Sequence, residues 1–299
     1  MNLISINDLT EDDIYEIFKI ADKLKEEKEE IELKKDSILV LYFEKPSTRT
    51  RLSFESAIIK LGGHSVYLQK DTTHIVRGES LEDTVRVISL YADFLAARVF
   101  NHNDLLRMAD VATIPIINAL SDLEHPTQAL TDLYTIREIK HKLEDLKIAF
   151  IGDIATNTAN SLMVGAAKLG AEVSLIGPKG YNPNSLYLNK AREFNRVDVY
   201  DDIKEGLMDA DVVYTDTFVS MGQESEREER LKRFMPYQLN QDALSYAKDD
   251  VIVMHCLPAH RGEEIAADVI DGPHSVVWQQ AKNKELIARA ILLFLSARE

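Results

Sequence analysis

The sequence predicts an α/β protein of two lobes, each a parallel sheet flanked by helices. Two observations carry this. Short apolar runs alternate with segments of helical period along the chain, the pattern of βαβ units. The strand-like runs number nine, too many for one small sheet, and the polar stretch KHKLEDLK (140–147) falls between a long helix and a fresh strand. The boundary is therefore expected there, giving lobes of 1–139 and 140–282.

Thr10 followed by Asp13 resembles a helix-start cap, and Ile14, Ile17, Phe18, Ala21 and Leu24 then recur at helical spacing. The charged run 23–36 reads as a solvated helix end. Strands are expected at 37–43, 64–68, 93–99 and 114–119, then at 147–151, 172–176, 211–215, 251–254 and 275–278. Between them, helical period marks the segment ending at Gly62–Gly63 and the segments 79–91, 126–140 and 157–169. The final stretch, AKNKELIARAILLFLSARE, is an amphipathic helix that the pattern alone could place on either lobe.

Composition excludes several classes. A chain of 299 residues with 45% apolar and 28% charged content is an ordinary globular protein. A net charge of −15 argues against general nucleic-acid binding, though local arginines can invert the field of a cleft. No apolar run is long enough to span a membrane. Cys256 is the sole cysteine, so no internal disulfide forms, and the start MNLISINDLTEDD lacks a secretory pattern; a cytoplasmic location is expected.

Five stretches could carry chemistry. FEKPSTRTR (43–51) puts Ser47, Thr48 and Thr50, with Arg49 or Arg51, at the first turn of a helix. Free N–H groups and the positive end of the dipole attract anions there, making a phosphate cradle without a glycine loop. Its ordinary reading is a serine N-cap with two surface arginines. In HPTQALTDLY (125–134), His125 and Gln128 flank a helix start; a neutral imidazole there can donate to an oxyanion, or simply cap. IGDIATNTANSLM (151–163) places Asn157 and Asn160 just after a strand, where open α/β sheets hold ligands and where turn residues also occur. VVYTDTFVSMGQE (212–224) offers Asp216, a partner for an ammonium or a helix cap, before an S-M-G loop. VIVMHCLPAHRGEEI (251–265) ends an apolar strand with His255 and Cys256, without a zinc-ligand spacing.

Taken in order, FEKPSTRTR, LGGHSVYL, RGESLEDTVRV, HPTQALTDL, GDIATNTANSLM, DVVYTDTFVSMGQE and MHCLPAHRGEE resemble the transcarbamoylase family over nearly the whole chain. The S-M-G and H-C-L-P motifs resemble its ornithine branch. The resemblance implies transfer of the carbamoyl group of carbamoyl phosphate to the side-chain amine of ornithine, with no metal or organic cofactor. It implies that Ser47, Thr48, Arg49 and Thr50 bind the phosphate, that Arg98 reaches the same ligand, and that His125 polarises the carbonyl while Gln128 holds the carbamoyl amide. Cys256 and the backbone of Leu257 would contact the carbamoyl group and the attacking amine. Asn157, Asp216, Ser220 and Met221 would bind ornithine. His74 would be donated to a neighbouring subunit's phosphate, so a homotrimer with shared sites is implied, with no nucleic-acid or membrane partner. The first lobe becomes the carbamoyl phosphate domain, with the C-terminal helix (283–299) returning to it, and the second the ornithine domain.

Three positions depart from the family's pattern. Lys284 stands where an arginine commonly reaches carbamoyl phosphate, keeping the charge without the fork. Thr156 replaces an asparagine before Asn157, and Phe218 replaces a frequent tryptophan. A transcarbamoylase for another amine and a non-catalytic binder of carbamoyl phosphate are the competing readings.

Overall fold

The computed structural model describes residues 1–26, 33–220 and 222–298. Packing divides the chain into two compact units, Met1–Thr131 with Lys282–Glu299, and Asp132–Ala281.

The first unit holds β1 (Ile38–Phe43), β2 (His64–Gln69), β3 (Phe94–Arg98) and β4 (Ile116–Leu120), all parallel, in the order β2-β1-β3-β4. The strand β1 reads ILVLYF with its last five residues buried, the continuous apolar run that a central parallel strand needs. Helices α1 (Glu11–Glu26), α2 (Thr48–Lys60), α3 (Leu81–Tyr91) and α4 (His102–Val111) belong to this unit, and α5 (Pro126–Lys140) begins in it. Val40, Tyr42, Val85, Leu95 and Leu105 share one core, each such side chain contributing about 1.5–3 kcal/mol when fully buried.

The second unit holds β5 (Lys147–Ile151), β6 (Glu172–Ile176), β7 (Val197–Tyr200), β8 (Val212–Thr215) and β9 (Ile252–His255), parallel in the order β7-β6-β5-β8-β9. Its helices are α6 (Asn157–Lys168), α7 (Ser185–Arg192), α8 (Ile203–Leu207), α9 (Arg227–Phe234), α10 (Gln241–Leu244) and α11 (Ala267–Ile270). Ala149, Ile176, Val213, Val253 and Val269 centre its core.

The last helix, α12 (Val277–Ser296), starts earlier than the 283 expected for it. Within the first unit Arg298, just past its end, pairs with Asp13 at 2.7 Å and Glu16 at 2.8 Å, and Glu285 pairs with Lys60 at 3.4 Å. These pairs bind the returning helix to α1 and α2.

Two strand expectations need correction. The run at 275–278 makes only one parallel bridge, Ser275 to Val253, before the chain turns into α12. Conversely, β7 was not expected. It is an edge strand, VDVY, whose charged Asp198 interrupts an apolar signal of two valines. Of the charged run 23–36, residues 27–32 lie outside the described residues. Among the described residues no helix is long and apolar enough to cross a membrane.

Topology already selects where ligands can sit. In the first sheet the chain winds outward in opposite directions from β1 and β3, and in the second from β5 and β8. Such switch points leave a crevice beyond the carboxyl ends of the strands. The segment after β1 carries Ser47 and the end of β3 carries Arg98; the segments after β5 and β8 carry Asn157 and Asp216. The flanking strands β4 and β9 add His125 and Cys256.

Candidate functional site

The cradle at the start of α2 departs from an ordinary cap. Ser47 occupies the N-cap position with extended backbone, yet its hydroxyl makes no capping hydrogen bond. The N-caps Ser80, Asn101 and Thr156 all accept one from their helices. The first N–H groups of α2 thus lack the side-chain acceptor the capping reading supposed, and Ser47 keeps its hydroxyl for other use. Thr50 is buried, Arg49 half-buried and Thr48 exposed.

Arg51 is committed elsewhere. Its Nε donates to Glu55 at 2.9 Å, and its guanidinium lies 3.6 Å from the centre of the Tyr67 ring. With Arg51 engaged in this way, Arg49 is the arginine of the motif expected to serve an anion. Arg49→Ala is expected to weaken binding of inorganic phosphate by about tenfold or more, since charge-assisted contacts contribute about 1.5–3 kcal/mol. Arg51→Gln should leave that affinity in place; isothermal titration with phosphate separates the two.

Arg98 closes β3 and is buried, at a register shift in the β3–β4 ladder. Its carbonyl accepts the Glu44 N–H at 2.8 Å, which ties the loop after β1 to the end of β3 across the switch point. Glu44 reinforces that tie by accepting the Phe100 N–H at 2.9 Å and pairing with Lys70 at 2.9 Å.

His125 is only 5% exposed and sits immediately before α5, its carbonyl accepting from Gln128 and Ala129. Burial, and then the charges of Lys284 and Arg98, push its pKa well below the ordinary value for histidine. The imidazole is therefore neutral near pH 7, the form that donates to an oxyanion without carrying charge.

Lys284, expected as a ligand, is buried on α12 and donates through Nζ to Gln128 Oε1. One of the amide oxygen's two lone pairs is thereby taken, and the lysine fixes which way the Gln128 amide faces. A single point donor does this without the bidentate reach of the arginine it replaces. His74 differs from this group, lying exposed on a 3-10 turn (His74–Arg77).

In the second unit, Thr156 caps α6 by accepting the Ala159 N–H at 3.2 Å, which gives this departure a structural role. Asn157 follows at the first helical position, half-buried, accepting from the Thr158 hydroxyl at 3.3 Å. Asp216, just past β8, is buried, and its Oδ1 accepts the Thr217 N–H at 2.7 Å and the Cys256 thiol at 3.0 Å. Asp216 and Cys256, from adjacent parallel strands, thus meet directly. Ser220 is held in its loop by reciprocal bonds with Gln223, each 3.0 Å long. Met221 lies outside the described residues.

The loop after β8 has an anchor that the motifs did not reveal. Phe218 is fully buried, stacked on Phe234 with centroids 5.3 Å apart. It packs so closely on Gly152 that a Cβ there would approach its ring to 2.9 Å, and Gly152 has a φ of +116°, so only glycine fits. The Phe218 carbonyl accepts from Arg230 Nε at 2.8 Å, and Arg230 also pairs with Asp153. Burial pushes the Asp153 carboxyl up against the pull of that arginine. Phe218 therefore serves the loop's packing. Neither Arg230, within the highly charged REERLKRF, nor Asp153 belongs to a sequence pattern that would single it out.

The H-C-L-P segment forms a bent turn: Leu257 has a φ of 59° and precedes a cis proline. Asp216, His255 and Cys256 bring donor atoms within 4.8 Å of one another. Both ring nitrogens of His255, however, are already hydrogen-bonded, Nδ1 to Leu257 N and Nε2 to Glu264, so a metal ion there would have to break one of these bonds.

Comparison with known proteins matches both units. Residues 1–138 match the family model "Aspartate/ornithine carbamoyltransferase, carbamoyl-P binding domain", and residues 144–295 match "Aspartate/ornithine carbamoyltransferase, Asp/Orn binding domain". The chain is 45% identical to the ornithine carbamoyltransferase of Picrophilus torridus, covering 97% of each protein. It is 45% identical to that of Archaeoglobus fulgidus, covering 100% of this chain and 98% of the relative. The solved structure of ornithine carbamoyltransferase from Pyrococcus furiosus superposes with a TM-score of 0.94 at 43% identity, over 99% of this chain and 97% of that one.

Proposed function

The chain belongs to the aspartate/ornithine carbamoyltransferase family, and we propose that it carries the carbamoyl group of carbamoyl phosphate to the side-chain amine of L-ornithine, forming L-citrulline and phosphate. The observation that carries the choice of ornithine is the Asp216–Cys256 pair. A buried carboxylate suits a substrate with an ammonium group, and disfavours aspartate, whose second carboxylate would face it.

In this reading Ser47, Thr48, Arg49 and Thr50 hold the phosphate. Arg98 donates to carbamoyl phosphate near its bridging or carbonyl oxygen, and Gln128, oriented by Lys284, holds the carbamoyl amide. Asp216 answers the α-ammonium of ornithine, with Asn157, Ser220 and Met221 completing its binding. Cys256 and the Leu257 backbone meet the carbamoyl group and the reacting amine.

The amine attacks as the neutral base, although an alkyl ammonium has a pKa of about 10, so a proton leaves before or during attack. As its nitrogen bonds to the carbonyl carbon, negative charge grows on the oxygen, and neutral His125, Thr50 and Arg98 donate to it. The bond from carbon to the phosphate oxygen then breaks. Phosphate leaves into the cradle that already binds it and takes up the proton released by the amine. Positioning of two bound substrates supplies much of the acceleration.

The test is phosphate release from carbamoyl phosphate in the presence of ornithine, aspartate, putrescine, lysine or N-acetylornithine. Release with ornithine far above the rest is expected. Preference for another amine would overturn the assignment of Asp216.

His74 is exposed and so accessible to a neighbouring chain, and we infer a site shared across a homotrimer. Mixing His74→Ala and Arg49→Ala chains, each inactive alone, should rebuild intact sites at about one position in four, because each site draws on two neighbours of a cyclic ring. Hybrids with no recovered activity would place the whole site within one chain.

A further inference from the structure

The turn at Cys256–Leu257 is gripped by an imidazole locked into one tautomer. His255 ends β9, and its side chain and that of Glu264 are both 0% exposed. The Leu257 backbone N–H points to His255 Nδ1 at 2.8 Å, so that nitrogen is an acceptor and carries no proton. The ring proton must then sit on Nε2, which donates to Glu264 Oε1 at 3.1 Å. The same carboxylate oxygen accepts the His260 N–H at 2.6 Å. Burial pushes Glu264 up, but hydrogen bonds from His255 and the His260 N–H outweigh it and hold the carboxyl below its usual range. An ionised acceptor on the Nε2 side leaves Nδ1 free of hydrogen, and so selects the tautomer.

The backbone on either side is pinned as well. The His255 N–H donates to Gln280 Oε1 at 3.0 Å, and Gln280 donates onward to Asp132 at 2.7 Å. With the strand end fixed and the ring bonded at both nitrogens, the imidazole cannot rotate. Leu257 needs such a grip. Its φ of 59° puts a bulky side chain in the left-handed region, which persists only when surrounding contacts hold it.

We infer that His255 is a positioning residue: its neutral Nε2–H tautomer, set by Glu264, holds the Leu257 N–H and thereby presents the Cys256–Leu257 turn to the reacting groups. What the turn presents rests on the carbamoyl-transfer reading; the tautomer does not. A buried histidine serving only stability would need its two bonds for packing alone, and loss of either would matter through unfolding rather than through turnover.

Two variants of the full chain divide the ring's bonds. In His255→Asn the amide oxygen falls near the Nδ1 position, keeping an acceptor for Leu257 and losing the donor to Glu264. In His255→Gln the amide nitrogen reaches the Nε2 position and the acceptor is lost. His255→Gln should lose about 10²-fold in kcat, the effect of a misplacement of roughly 1 Å, with the KM for carbamoyl phosphate unmoved. His255→Asn should turn over about tenfold faster than His255→Gln or better. Equal losses, or a larger loss in the Asn variant, overturn the proposal. Nitrogen-15 NMR of histidine-labelled wild type reads the tautomer without turnover or folding of any variant: an unprotonated Nδ1 is expected, and a protonated one overturns the proposal. Wild-type protein that forms no citrulline would sink the transfer reading, and the positioning role with it, while the NMR result would still decide the tautomer.

Discussion

His125→Ala is expected to lower kcat by about 10²–10³ while changing the KM for carbamoyl phosphate little, because an oxyanion donor acts chiefly in the transition state. The expectation rests on a buried ring at the start of α5, kept neutral by that burial and by the charges of Lys284 and Arg98. Steady-state kinetics with both substrates checks it, and an unchanged kcat would remove His125 from the chemistry. The same burial sets a pH dependence of stability. His125 has a depressed pKa in the fold and an ordinary one, about 6.5, when unfolded, so below that value the unfolded chain binds the extra proton. Stability is therefore lost as pH falls through about 6.5 toward the lower folded value. His125→Gln, which does not titrate, should unfold with a shallower dependence on pH below about 6.5.

Asp216→Asn is expected to raise the KM for ornithine by about 30-fold or more, with phosphate affinity unaltered. Truncating one partner of a buried charge pair commonly costs about 2–5 kcal/mol, and the asparagine keeps the shape while losing the charge. It also replaces the acceptor of the Cys256 thiol with a group that can rotate. Cys256→Ser, which keeps a donor to Asp216, should be milder than Asp216→Asn. An ornithine KM left at its original value would mean that the α-ammonium is met elsewhere.

Much of this was legible in the sequence because buried parallel strands write themselves as apolar runs: ILVLYF and KIAFI need no context to be read. What failed was local. The strand VDVY lies at a sheet edge and has too little apolar signal, while the run beginning at Ser275 is apolar because Val277 enters the core as α12 starts. The motif residues were found through their order along the chain, a property no single stretch carries. Their division of labour was not. That Arg51 stacks on Tyr67, that Lys284 holds Gln128, and that Arg230 holds the carbonyl of Phe218 depends on side chains meeting from distant elements, and spacing cannot express it.

Sequence departures from the family pattern proved informative in different ways. Thr156 is a helix cap, and Phe218 fills the space that Gly152 leaves open. Lys284 lies beside His125 and adds to the positive field that keeps it neutral. The first two are accommodated by structure alone; the third bears on the chemistry through the group it orients.

The most direct measurement follows the carbon. Incubated with carbamoyl phosphate labelled with carbon-13 and with L-ornithine, the protein should place the label in the ureido carbon of citrulline, with one phosphate released for each citrulline formed. Label recovered only as cyanate or bicarbonate, with ornithine unchanged, would contradict transfer and leave a protein that binds carbamoyl phosphate without using it.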